Sequence, residues 1–265
     1  MRRVVMVAVV LAGALSGCGG DDPPKPDPVP TASAPATQTP EPGSPSPTGT
    51  AAAPAPGAPA PGGMLPGSFQ PIWPFAEAGQ VRTWQRSFQA SGTASWHLDA
   101  GQTALRFTRE YLGFTEIDRV TSRKVSDRDA YIGVGYRTEG TNTATAAVLH
   151  LMRAGEGDDA PWEVVGSEDT TLQVRSPSYA AKATSPMTVG GIITGVDESL
   201  RVTVRQLGAA KPVGSHCCVM AGGQNSPWTA KVPFTPANNR VLTVIVSTGG
   251  HLQEIERFAL TALRP

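Results

Sequence analysis

Sixteen of the 25 prolines lie between Gly19 and Pro71. Each one removes a backbone donor and fixes φ, so a stretch this interrupted runs neither as a helix nor as a central strand. The rest of it is mostly Ala, Thr, Ser and Gly, with only Asp21, Asp22, Lys25, Asp27 and Glu41 charged. Such a segment buries too little apolar area to offset an ordering entropy of roughly 1–2 kcal/mol per residue. It is therefore expected to be a disordered, extended stalk, reaching from about 40 Å as a coil to about 150 Å when drawn out. A ligand role for its Pro-x-x-Pro motifs is the second reading, and its Thr/Ser/Pro mixture suits O-glycosylation.

Ahead of the stalk, Arg2 and Arg3 precede an apolar run from Val4 to Ala14. That run is too short for a hydrocarbon core, which needs about 20 residues. It ends in Leu15-Ser16-Gly17-Cys18, which looks like a bacterial lipobox. Residues 1–17 then form a cleaved signal peptide. The Cys18 thiol takes a diacylglycerol, and its new amino group accepts a further acyl chain such as palmitate. Two or three chains, at about 0.8 kcal/mol per buried CH2, make a durable anchor. The expected address is the extracytoplasmic face of the cell membrane.

Residues 72–176 begin with helical rhythm. Val81, Trp84 and Phe88 share a face over about 76–89, and Asp99 with Gln102 forms a capping pair for a second helix that Gly113 ends. A period of two follows at 120–125, 130–137, 144–153 and 162–165. Helices followed by a meander predict an α+β domain, with helices packed on an antiparallel sheet. A curved sheet of the cystatin or nuclear-transport-factor kind fits that order, an analogy of fold that carries no function. Trp84, Trp96 and Trp162 serve either a cleft or the core, and burial is the commoner fate of tryptophan. His97 and Asp99 have the spacing of a base and its orienting carboxylate, but no nucleophile motif accompanies them. His150 sits on one face of an alternating strand.

Residues 177–265 lack helical rhythm. Strands are expected at 188–194, 200–207, 229–234, 241–247 and 254–262. Turn signals separate them at Gly195-Val196-Asp197-Glu198, Asn238-Asn239 and Gly249-Gly250. Short strands at this spacing predict an all-β sandwich. Ser185-Pro186-Met187-Thr188-Val189-Gly190-Gly191, then Gly195 through Val202, Ser226 through Phe234 and Leu242 through Ser247, resemble the Gmad2 domain. This is the immunoglobulin-like domain named for bacterial spore-germination proteins. The resemblance covers roughly residues 183–263. It implies an immunoglobulin-like accessory module outside the cell and supplies no catalytic residue.

Cys217 and Cys218 adjoin in an exported chain, where thiols oxidise. Neighbours on a strand point to opposite faces, so a disulfide between them requires a distortion that Gly214, Gly222 and Gly223 would permit. The alternatives are one buried and one exposed thiol, or a metal site with His216, whose spacing is poor for a tetrahedron. No catalytic, cofactor or metal residues are expected. Lys+Arg (22) balances Asp+Glu (22), against a dedicated nucleic-acid binder. The balance conceals a net −3 in residues 72–176 and a net +4 in 177–265. A cationic half could lean on anionic lipid head groups or wall polymers, but ordinary surface variation is the preferred explanation of four charges over about ninety residues. Together these features predict a lipid-anchored, non-catalytic binding or assembly module with an envelope-protein or cell-wall partner. The alternatives are a small-ligand binder using a cleft in the α+β domain, or an envelope enzyme without a readable motif.

Overall fold

The computed structural model describes residues 64–265, apart from the side chains at 196–198. The expected signal peptide, Cys18 and the expected stalk as far as residue 63 lie outside the described residues. Met64 to Pro71, grouped with the stalk by their prolines, pack against the folded chain. Leu65 is buried beside Phe75, Val81, Trp84, Met152 and Val165, with Met64 and Phe69 against them. The Gln70 amide donates to Tyr179 Oη at 2.8 Å. Residues 19–63 hold no Leu, Met or Phe.

Helix α1 spans Ala78–Ser91, burying Val81 and Trp84. Gly92, at φ 67°, ends it by donating to the Phe88 carbonyl. Helix α2, Ala100–Arg106, starts at Asp99, whose Oδ1 accepts the Gln102 N–H at 2.8 Å. It passes into a π turn, Phe107–Tyr111, and the chain turns away at Gly113, φ 85°. Strands β1 (Arg119–Val125), β2 (Asp129–Arg137), β3 (Thr143–Arg153) and β4 (Trp162–Ser167) then form an antiparallel meander. Ile72 and Trp73 extend it along the edge of β4, through Ile72 N–H to Val164 O at 3.0 Å and Val164 N–H to Trp73 O at 2.8 Å.

The second sheet comprises β5 (Leu172–Ser176), β6 (Met187–Gln206), β7 (Gly214–Val232), β8 (Leu242–Thr248) and β9 (Arg257–Leu263). The first half of β6 lies between β5 and the end of β7. Its second half lies between the start of β7 and β8. Chain leaving β5 runs back onto β9, where Ala180 N–H donates to Ala262 O and Arg264 N–H to Ala181 O. The sheet therefore comes round almost into a barrel. Val189, Leu200, Val202, Val204, Leu242, Val244 and Val246 fill its interior.

This corrects the expected fold class in both halves. Strands take 46% of the structure and helices 15%, and two short helices do not amount to an α+β domain. The reason lies in what covers the first sheet. Ile245, Phe258, Leu260 and Ala262, on the outer face of β8 and β9, join Phe107, Tyr111, Ile132, Leu149 and Trp162 in one apolar cluster. Sheet packing thus takes over much of the covering assigned to helices. The immunoglobulin-like sandwich is replaced as well, because Gly195–Glu198 is not a hairpin. The strand runs through it with register shifts on either side of Gly195. Such bulges bend a strand without ending it. One long bent strand closes a single sheet where two separate strands would have built two. No helix among the described residues is long and apolar enough to cross a membrane.

Candidate functional site

Alternation along β6 sets up the site. Val202 and Val204 are fully buried inside the near-barrel, so Arg201, Thr203 and Arg205 project from its outer face. On β8, Ser247 pairs with Arg201, Ile245 with Thr203 and Thr243 with Arg205. On β7, Cys217 pairs with Arg201 and Ser215 with Thr203. Segment 112–117, arriving from the π turn, stands over this face. Between them opens a cavity of about 490 Å³, which residues 254 and 255 also line. Its size falls within the range of small-ligand sites, roughly 300–1,000 Å³.

Each wall is fixed by identifiable contacts. The Arg205 guanidinium lies 5.2 Å from the Tyr111 ring centroid. Burial raises the Tyr111 pKa, partly countered by Thr243 and Arg205. Phe114 meets Phe258 edge-on at 5.3 Å between centroids. Glu116 Oε2 accepts the Glu254 N–H at 3.0 Å, tying the two rims together. The 249–256 loop is held from below by Glu256, whose Oε1 accepts the His251 and Leu252 amides, each at 2.7 Å. Burial opposes ionisation of Glu256, but backbone donors from Leu252, His251 and Gln253 outweigh it and lower its pKa. Among the described residues neither Arg201 nor Arg205 forms an ion pair. The cleft thus offers two cations, a row of hydroxyls (Thr203, Ser215, Ser247) and an acidic rim.

The residues singled out in the sequence fall elsewhere, except the cysteines. Cys217 and Cys218 are joined in a disulfide within β7, at the edge of the cleft face. Leu200 pairs with Val219 and Arg201 with Cys217, so Cys218 is the extra residue of a bulge. The bulge breaks the strict alternation that would otherwise hold neighbouring side chains apart. Both cysteines are exposed, and with their sulfurs joined no thiolate is left for His216 and a metal.

Trp84 and Trp162 are buried. Trp96 is half-buried, stacked between Trp73 and His97 and covered by Arg106 at 4.8 Å. His97 lies in this aromatic nest with its Nδ1 unpartnered. Burial first, then Arg106, lowers its pKa to about 4. Asp99 does not orient it, because its Oδ1 takes the Gln102 amide and Arg123 Nη1 at 3.1 Å. His150 Nε2 bonds Asp129 Oδ1 beneath the Tyr131 ring. It borders a smaller cavity of about 200 Å³. The Ser167 hydroxyl there is engaged with the backbone of Leu260.

Glu163 was not foreseen. It is wholly buried on β4; one oxygen accepts the Phe75 amide at 3.1 Å, and the other has no partner among the described residues. Burial drives its pKa well up, against the Phe75 and Trp73 amides. The cleft residues were not foreseen either. Their signal is the Arg-Val-Thr-Val-Arg alternation at 201–205 within the cationic half of the chain. Comparison with protein-family models, with curated proteins and with solved structures finds no match to this chain.

Proposed function

We propose that this chain is a non-catalytic binding module of the cell envelope, tethered through acylated Cys18 to the outer face of the membrane. It takes its partner in the cleft between segment 112–117 and β6. One observation carries the reading: Arg201 and Arg205 flank Thr203 on the cavity wall, and no carboxylate among the described residues pairs with either cation. The small-ligand reading, first attached to a cleft within the 72–176 region, thereby joins the binding-module reading. The open edge of β7 is a weaker candidate. Its bulge at Cys217–Cys218 and its Pro227 are devices that discourage strand addition.

Two experiments test the proposal. Cys18→Ala should release the chain from the membrane and abolish lipid labelling, and persistent labelling would reject the anchor. A photoreactive residue at Thr115, on the cleft rim, should capture an envelope component that the same residue at exposed Val125 does not. Equal capture from the two positions, or none from Thr115, would reject the cleft.

A further inference from the structure

We infer that the ligand of the cleft is an acidic sugar: a hydroxyl-rich ring or short oligosaccharide bearing carboxylate or phosphate groups. This rests on the binding reading above. Three features of the cavity need one explanation: the guanidinium groups of Arg201 and Arg205, the hydroxyls of Thr203, Ser215 and Ser247, and the carboxylates of Glu116 and Glu254 on the facing rim. A bare anion or a fatty acid satisfies the arginines, but it meets repulsion at the rim and leaves the hydroxyls idle. A cation meets the opposite repulsion from β6. An acidic sugar uses all three. Its anionic group takes charge-assisted bonds from arginine, and its hydroxyls donate to the carboxylates and exchange bonds with Ser and Thr. Its apolar ring face has Phe114 and Ile255 to rest on, with Phe114 held in place by Phe258.

Spacing adds a further constraint. Arg201 and Arg205 are four residues apart on one strand, so their Cα atoms are separated by about 13 Å. That separation favours a ligand with an acid group towards each end over one with a single charge. The Arg205 guanidinium is preset over Tyr111, whereas Arg201 is exposed and free to close on the ligand. Arg201 is therefore the anchor whose removal disturbs the fold least. A zwitterionic peptide also answers both charges, but it has fewer hydroxyls to match the serine and threonine row.

The test is calorimetric titration of the full chain in detergent with digalacturonate, its dimethyl ester and the dipeptide lysyl-aspartate. Digalacturonate should bind, and should weaken as salt is raised. The ester, equal in shape but uncharged, should bind at least tenfold more weakly. Arg201→Gln should weaken the acid at least tenfold while leaving the ester unchanged. Ser215→Ala should weaken both, with the thermal transition of each variant preserved. Equal binding of acid and ester, indifference to Arg201→Gln, or tighter binding of lysyl-aspartate would each overturn the inference. If Thr115 still captures a component while no acidic sugar binds, the sugar falls and the binding module stands. If capture fails too, both fall.

Discussion

Glu163 and His97 in the first half of the fold and Arg201, Thr203 and Arg205 on the near-barrel are placed in opposite ways. Glu163 points inward from β4 onto the Phe75 amide, and His97 packs among Trp84, Trp96 and Phe75; burial disfavours the charged form of each. The near-barrel keeps valines and leucines inside and turns Arg201, Thr203 and Arg205 outward over a cavity. Residue types rich in chemistry therefore mark structure in the first sheet. In the second, the wall of the cleft is a plain alternating strand. Burial decides between the roles, because a polar group removed from water must be neutralised or paired before it can do anything else.

The sharpest way to break this contrast is truncation in the first sheet. Trp162 is 2% exposed, and its indole N–H donates to Leu98 O at 3.2 Å. Trp162→Ala should cost about 3–5 kcal/mol in denaturant unfolding. A loss under about 1 kcal/mol would mean that Trp162 is not part of the apolar cluster shared by the two sheets.

Next comes the pH response. A buried Glu163 whose pKa is raised favours folding fully below its unfolded value of 4.5, and loses that contribution as pH rises towards the folded value. His97 acts with the opposite sign. Its pKa falls from 6.5 to about 4, so the unfolded chain binds the extra proton and stability drops as pH falls through that window. Glu163→Gln should remove the loss of stability that sets in as pH rises above 4.5, and leave the His97 contribution between 6.5 and about 4 in place. An unchanged pH profile of the thermal melts would show that burial does not raise the Glu163 pKa.

The smallest expected effect belongs to the second sheet. Arg201→Gln should shift stability by no more than about 0.5 kcal/mol, since the side chain is exposed. A larger loss would assign Arg201 to the fold and erase the contrast between the sheets.

Much of the local structure was legible. Asp99 caps α2 as its spacing with Gln102 indicated, Gly113 turns the chain, and the first meander lies within a few residues of its period-two segments. These are decisions between neighbours in the chain, taken by caps and alternation. The sandwich was misread because Gly195–Glu198 carries the chemistry of a turn yet lies within β6. Two further strands lacked a clear rhythm. Leu172–Ser176 has one fully buried residue in its five. Gly214–Val232 alternates only near its end because it is an edge strand with a bulge.

The sequence alone determined that valines at 202 and 204 would face one side and Arg201, Thr203 and Arg205 the other. It also placed the proline-rich stretch ahead of the first helix. Only the tertiary structure decided what stands opposite those arginines. Glu116 and Glu254 reach the same cavity from 138 residues apart in the chain, joined by one hydrogen bond from the Glu254 amide to the Glu116 carboxylate. Periodicity states which way a side chain points because that follows from backbone geometry. The surface it meets depends on how distant segments pack, and that is settled by the shared core of the two sheets.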